Sequence, residues 1–190
     1  MFFASDNAGP AHPKVMDALL RANAGYQASY GADTVMAAVT DQIRTAFEAP
    51  DAAVFLVATG TAANALLLAT MTNPWETIFC SQVAHIHEDE CNAPEFYTGA
   101  KLTLVPTADG KMTPDALRAK LQTEGNRGVH GPQRGPVSLT QVTEMGTIYS
   151  TADLQALTDV ARAHGCKTHM DGARFTNALA ALGCTPAQMT

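Results

Sequence analysis

The sequence predicts an α/β fold of three layers, in which helices cover both faces of a mostly parallel β-sheet. Two observations lead to this prediction. Short apolar runs of strand length alternate with longer stretches whose apolar residues recur at helical spacing. No internal repeat or low-complexity segment interrupts that alternation. A chain of 190 residues can bury roughly 70% of its unfolded surface, which is enough for one sizeable core.

The first 50 residues contain two helical patterns. Residues 12–23, HPKVMDALLRAN, place Val15 and Leu19 on one face, and Pro13 stands where helix starts tolerate proline. Residues 33–50, DTVMAAVTDQIRTAFEAP, form a second pattern that a proline closes. Its apolar residues at helical spacing are Val35, Val39, Ile43 and Phe47.

A compact apolar run then predicts a buried strand at residues 52–58, AAVFLVA. Residues 59–71, TGTAANALLLATM, follow as a glycine turn and a helix. Further along the chain, three short runs are strand candidates. They are ETIFCSQ, KLTLVPT and PVSLTQVTE.

Two later helices are predicted at residues 113–122, TPDALRAKLQ, and 151–165, TADLQALTDVARAHG. Each opens with a threonine cap and an aspartate in the first turn. Gly165 ends the second helix, and residues 166–170, CKTHM, follow as a strand.

The composition excludes several classes of protein. A formal net charge of −6, without any basic run, argues against nucleic acid and anionic membranes as partners. No apolar run approaches the ~18 residues that a membrane helix needs, and the start MFFASDNAGP lacks the features of a secretion signal. Four cysteines without CxxC spacing indicate reduced thiols. We therefore expect a cytoplasmic protein.

Ligands of parallel sheets bind beyond the carboxyl ends of the strands. The segments to search are therefore residues 59–64, 82–90, 141–146 and 171–174, which are also rich in polar residues. In the first of them, Gly60 and Thr61 stand between a predicted strand and a helix. Free N–H groups and the helix dipole make such a junction an anion site. A capped helix start without any ligand explains this motif equally well.

The segment VAHIHEDEC, residues 83–91, concentrates histidine, acid and cysteine. It lacks the HExxH and paired-cysteine spacings of metal sites, and strand alternation would scatter its side chains, so we expect no metal. His85 is best placed to stack on a planar ligand. The alternative is that both of its histidines are merely solvated.

The segment KTHMDGARFTNAL, residues 167–179, predicts a strand that ends at Asp171 and is followed at once by a helix. An acid at the end of an interior strand needs a partner. The pyridine nitrogen of pyridoxal 5'-phosphate (PLP) is one, because an aspartate keeps it protonated. Arg174, one turn into the next helix, could clamp a carboxylate. Taken alone, the two residues fit an N-cap beside a salt bridge better than they fit a ligand site.

Together these segments resemble the PLP-dependent threonine aldolases of fold type I, in particular the low-specificity L-threonine aldolase and phenylserine aldolase branch. The resemblance covers nearly the whole chain. Its motifs are SDN, YG, FLVATGTAANAL, HIHEDEC, NAPEFYTGAKL, VSLTQVTEMGTIYS, HMDGARFTNAL and LGCTPAQMT. The resemblance implies that residues 1–190 are the amino-terminal part of a large PLP-binding domain. The rest of that domain and a small carboxyl-terminal domain would be absent.

The resemblance also implies roles for individual residues. Gly60 and Thr61 would hold the PLP phosphate, His85 would stack on the ring and act in catalysis, and Asp171 would pair with the ring nitrogen.

Four further residues would act on the substrate. Ser5 and Arg174 would bind its carboxylate, and Glu90 would line the same pocket. His130 would assist proton transfer at the substrate hydroxyl.

The reaction implied is retro-aldol cleavage of a β-hydroxy-α-amino acid to glycine and an aldehyde, carried out by a homodimer or homotetramer. The family's Schiff-base lysine would lie downstream of Thr190, so we expect this chain alone to be inactive. None of its own lysines stands in a matching context. Two alternatives remain: another fold type I PLP enzyme such as a β-eliminating lyase, and a non-catalytic PLP-binding or assembly module.

Overall fold

The computed structural model of the chain describes residues 8–190. It divides into two compact units, one ending at Val54 and the other running from Phe55 to Thr190.

The described part of the first unit, residues 8–54, contains two helices, α1 (Pro13–Ala22) and α2 (Thr34–Ala46), which confirm both helical predictions. His12 Nδ1 accepts a hydrogen bond from the backbone N–H of Lys14 at the start of α1. Asp33 caps α2 by accepting the N–H of Met36 at 2.8 Å. Such caps satisfy N–H groups that have no partner inside the helix. No residue of either helix is buried.

The predicted buried strand at residues 52–58 is wrong. These residues form no strand, and Phe55 and Leu56 are 81% and 70% exposed. An extended segment becomes a strand only when a neighbour satisfies its N–H and C=O groups. None of the strands described in residues 8–190 pairs with it.

The second unit is built on a four-stranded sheet in which every pair of neighbours is parallel. Its strands, in chain order, are β1 (Glu76–Ser81), β2 (Lys101–Val105), β3 (Gln133–Thr140) and β4 (Thr168–Asp171). Their spatial order is β2-β1-β3-β4. The strands predicted from the three later apolar runs and from CKTHM are thereby confirmed, with ends shifted by a few residues.

Helices precede, connect and follow these strands. They are α3 (Gly60–Met71), α4 (His85–Glu88), α5 (Ala93–Thr98), α6 (Pro114–Thr123), a 3₁₀ turn (Gly128–His130), α7 (Thr151–Ala163), α8 (Phe175–Leu182) and α9 (Pro186–Met189).

Alternation along β1 produces two apolar layers, one on each face of the sheet. Ile78 and Cys80 pack with Leu68 of α3 on one side. Phe79 faces the larger core on the other side, which includes Leu117 of α6 and Leu157 of α7. Helices therefore cover both faces, and the predicted three-layer α/β fold is confirmed.

One helix cap differs from its prediction. Thr113 caps α6 as expected, accepting the N–H of Ala116. The cap of α7 is Ser150 rather than Thr151, and Ser150 and Asp153 form a reciprocal capping box. Gly165 ends that segment with a positive φ of 72°, a conformation that glycine adopts without strain. Among residues 8–190, no helix has the length and apolar character needed to cross a bilayer.

Candidate functional site

The amino-terminal end of α3 is open. Thr59 caps the helix by accepting the N–H of Ala62 at 3.1 Å. A Cβ added at Gly60 would have no atom of residues 8–190 within 4 Å. The first N–H groups of a helix lack partners within it, and the helix dipole favours an anion there. Gly60 and Thr61 therefore stand where a phosphate could approach the backbone.

Asn64 lies one helical turn further along α3 and is buried, with 5% of its surface exposed. Its Nδ2 donates to Glu90 Oε1 at 2.7 Å and to Asp171 Oδ2 at 2.9 Å. The axial rise from Gly60 to Asn64 is about 6 Å. The open helix end therefore lies about one helical turn along α3 from the residue that contacts Asp171.

Asp171 is the last residue of β4 and pairs in register with Thr140, the last residue of β3. It is buried, with 8% of its surface exposed, and its Oδ1 accepts the N–H of Ala173 at 3.1 Å. The expectation of an interior strand is wrong for the described sheet, where β4 is the edge strand. Each carboxylate oxygen already accepts one hydrogen bond and has capacity for another.

His85 opens the one-turn helix α4, and its Nδ1 lies 2.9 Å from Glu90 Oε1. The His85 side chain is 38% exposed, whereas that of Glu90 is fully buried. Burial is the largest single influence on the pKa of His85 and lowers it. The hydrogen bond and charge of Glu90, with the charges of Glu144 and Asp171, outweigh burial, so the pKa is raised above its ordinary value.

An ionised carboxylate only accepts hydrogen bonds, so in the contact with Glu90 the proton lies on Nδ1 of His85. In the neutral imidazole, Nε2 is then the basic nitrogen. The expectation that strand alternation scatters the HIHEDEC side chains is wrong, because this segment forms a helical turn and a loop. In the part of the chain that the structure describes, no three His, Cys, Asp or Glu residues are grouped to hold a metal ion.

Arg174 occupies the N-cap position of α8 rather than lying one turn inside a helix. Its Nη1 is 3.7 Å from Glu144 Oε2, and the two side chains are 37% and 22% exposed. Burial, as the largest influence, raises the pKa of Glu144 above its ordinary value, and the charges of Arg174 and His85 oppose that effect only in part. The Arg174 guanidinium and the partly buried Glu144 carboxyl thus lie close together beside the site.

The structure brings His85, Glu90 and Asp171 into one network through Asn64. His130 is not part of it. This residue is exposed in a 3₁₀ turn before the amino end of β3. Asp171 pairs with the other end of that strand, and eight residues of strand span about 26 Å. The role predicted for His130 stays a prediction, and Ser5 lies outside the described residues.

Two residues of the site were not singled out from the sequence, Asn64 and Glu144. Both fall in segments that follow predicted strands. The sequence signal at Asn64 was an amide among mostly apolar residues of a predicted helix, because asparagine is a poor helix former. Glu144 gave no comparable signal, since an acid in a loop is ordinary.

Comparison with known proteins identifies the family of the chain. The family described as beta-eliminating lyase matches residues 3–190. A low specificity L-threonine aldolase of Pseudomonas aeruginosa is 42% identical over 189 residues, which cover 99% of this chain and 54% of that protein. The structure of a Leishmania major threonine aldolase matches with a TM-score of 0.89 and 30% identity, over 96% of this chain and 53% of that one.

A more distant match concerns the fold alone. A serine palmitoyltransferase from S. paucimobilis, solved with a bound PLP–myriocin aldimine, has 17% identity and a TM-score of 0.61, over 83% of this chain and 37% of that one. The chain spans about half the length of the threonine aldolases that it matches.

Proposed function

Because the chain belongs to the beta-eliminating lyase family, we propose that the intact protein uses PLP to cleave L-threonine-like or phenylserine-like β-hydroxy-α-amino acids to glycine and an aldehyde. Its similarity to threonine aldolases supports the reaction. One observation carries the proposal: Asn64, one helical turn beyond the open end of α3, contacts Asp171 at 2.9 Å. An anion site and a buried acid are thereby close together.

The residues present fit PLP. Gly60 leaves room for a phosphate at the helix end, and the N–H groups of Gly60 and Thr61 would bind it. Asp171 would pair with the ring nitrogen, and the partly exposed imidazole of His85 would stack on the ring. When bound, PLP supplies an electron sink for the charge left at Cα after the Cα–Cβ bond breaks.

The chain's own residues then have distinct tasks. Arg174 would bind the substrate carboxylate bidentately and so orient the amino acid. His85, whose Nδ1 carries a proton toward Glu90, would accept the β-hydroxyl proton at Nε2. Its raised pKa strengthens it as a base near neutral pH. Its position in the network favours His85 over His130 for this step.

A lysine that would hold PLP covalently is expected beyond Thr190, and we propose that the 190-residue chain by itself is inactive. The chain's own lysines support this. Lys167 comes just before β4 and Lys101 is the first residue of β2, so both lie at the amino ends of strands. Lys111 pairs with Asp153 at 3.9 Å.

We also propose a homodimer or homotetramer. Large apolar side chains on α3 and α5 are exposed, among them Leu66, Leu67, Phe96 and Tyr97. Clustered apolar surface of this kind is typical of protein interfaces. A cytoplasmic location is proposed on the free state of all four cysteines, which is common in reducing compartments.

The test is product analysis. The intact protein, loaded with PLP and given L-threonine or L-phenylserine, should release acetaldehyde or benzaldehyde together with glycine. The description of the family favours β-elimination as a second candidate, and that reaction would yield an oxo acid and ammonia instead. Absence of both product sets would contradict PLP-dependent lyase activity.

The non-catalytic alternative is tested with the 190-residue chain. Tight PLP binding without turnover would support a binding module. Aldehyde formation by this chain would contradict the proposed need for residues beyond Thr190.

A further inference from the structure

The Asn64 carboxamide joins two buried carboxylates. Its two N–H bonds point to different acceptors, Glu90 Oε1 at 2.7 Å and Asp171 Oδ2 at 2.9 Å. The three residues are 5%, 3% and 8% exposed, respectively. Because ionised carboxylates only accept hydrogen bonds, chemistry settles which end of the amide faces them. The amide thus connects segments 26 and 107 residues away in sequence.

An asparagine is unexpected at this place in the helix. α3 has the sequence GTAANALLLATM, so alanines flank Asn64 on both sides. Asparagine is a poor helix former, and its side chain competes with the backbone for hydrogen bonds. A residue that works against its own helix while making two long-range contacts indicates a requirement of the site.

The same Glu90 oxygen that accepts from Asn64 also contacts His85 Nδ1 at 2.9 Å. A continuous chain of hydrogen bonds therefore runs from His85 through Glu90 and Asn64 to Asp171. Buried hydrogen bonds of this kind reinforce one another. Loss of the Asn64 donors would leave two buried carboxylates without that partner. Within residues 8–190, Glu90 Oε2 is buried and has no hydrogen-bond partner, so among these residues the Glu90 side chain relies on the two donors at Oε1.

We propose that Asn64 is a positioning residue that ties Asp171 to the Glu90–His85 pair and so holds the ring-nitrogen acid and the stacking histidine at a fixed spacing around one cofactor ring. This inference rests on the proposed function. Asn64 itself takes no proton and forms no bond with substrate.

The experiment compares PLP binding by three variants of the intact protein with that of wild type, using absorbance titration of cofactor-free protein. Asn64→Leu keeps a similar volume but removes the donors, and we expect its Kd to rise about tenfold. Asn73→Leu is the matched control. It changes an exposed asparagine that contacts Glu76 just beyond the other end of α3, and its Kd should stay within about twofold of wild type.

Asn64→Asp supplies a readout that a purely structural role would not move. At pH 8 it adds a third carboxylate beside two others, and the loss of PLP affinity should exceed that of Asn64→Leu. As the pH falls, the introduced carboxyl takes up a proton and can donate one hydrogen bond. The ratio of its Kd to that of wild type should therefore decrease toward pH 6, whereas the ratio for Asn64→Leu should stay constant.

The outcomes separate the two proposals. Absence of PLP binding by wild type overturns the proposed function and this inference together. Binding by wild type with an unchanged Kd for Asn64→Leu, or a ratio for Asn64→Asp that does not depend on pH, overturns this inference alone. If circular dichroism shows that Asn64→Leu does not fold, Asn64→Ser retains one hydroxyl donor. It should raise the Kd by about threefold, and a wild-type Kd would then contradict the inference.

Discussion

The two faces of β3 and β4 differ in chemistry although they belong to the same strands. On one face, Val137 and Leu139 of β3 join the large apolar core, and Met170 of β4 packs against it. On the other face, Ser138 Oγ contacts His169 Nδ1 at 2.9 Å, and Asp171 contacts Asn64. Strand alternation thus separates residues that stabilise the fold from residues that prepare a site.

Burial alone therefore does not identify a core residue. Asp171 is nearly as buried as Val142, at 8% and 7% exposure, yet only the second gains from leaving water. The polar face is stabilised by specific hydrogen bonds, and the loss of one leaves a buried polar group unsatisfied, which lowers the free energy of unfolding. Substitutions on the apolar face should therefore change stability, whereas those on the polar face should change function or the response to pH.

The largest effect is expected on the apolar side. Phe79 is fully buried in the large core, so Phe79→Ala removes a ring and leaves a cavity. The free energy of unfolding should fall by about 3–5 kcal/mol, measured by urea denaturation of the intact protein. Phe79→Leu is the control and should lose less than half of that. Turnover per folded molecule should stay close to wild type, and a specific loss of kcat would contradict the division between faces.

Asp171→Asn is the corresponding change on the polar side. The amide cannot keep a pyridine nitrogen protonated, so kcat per folded molecule should fall about 10²- to 10³-fold in steady-state kinetics. Thr168→Ala, at the exposed start of the same strand, is the control. Unchanged kcat in Asp171→Asn would remove the basis for the cofactor assignment.

Features of the fold that depend on local sequence patterns could be predicted, whereas those that depend on distant residues could not. Helices with capped ends, such as α2 and α6, and the runs that became β1 and β2 could be predicted, because their patterns depend on local periodicity. The run AAVFLVA has the same apolar pattern but forms no strand, because pairing is not a local property.

Only part of the candidate site could be predicted from the sequence, for a related reason. Asp171 and His85 could be named, since each follows a predicted strand. The link between them through Asn64 joins segments up to 107 residues apart, which no local pattern encodes. Arg174 could be named as a clamp, but its pairing with Glu144 required the structure.

His169 tests the pH response of the polar face. Burial, the largest influence, lowers its pKa to about 4, against a smaller opposing effect of the Asp171 charge. In the unfolded chain His169 therefore binds a proton near pH 6.5, whereas in the folded chain it binds one only near pH 4. Stability should decrease as pH falls through this window, by up to about 1.4 kcal/mol per pH unit.

The measurement is urea denaturation of wild type and His169→Gln at several pH values between 7 and 4. The difference between the two proteins should depend on pH in this window. Parallel curves for wild type and His169→Gln would show that His169 does not titrate as proposed.

The smallest effect is expected beside the site, at Glu144. This acid lies 3.7 Å from Arg174 and would compete with a substrate carboxylate for the same guanidinium. Partly exposed ion pairs contribute about 0.2–1 kcal/mol, so Glu144→Gln should lower KM by about two- to threefold. The effect on kcat should be smaller, since the Glu144 charge is only one of several influences that raise the pKa of His85. Glu88→Gln, at an exposed acid of α4, is the control.

Because burial raises the pKa of Glu144, protonation should remove the competition at low pH, and the KM values of wild type and variant should converge there. A KM that rises in Glu144→Gln would instead mean that the acid holds Arg174 in its binding orientation.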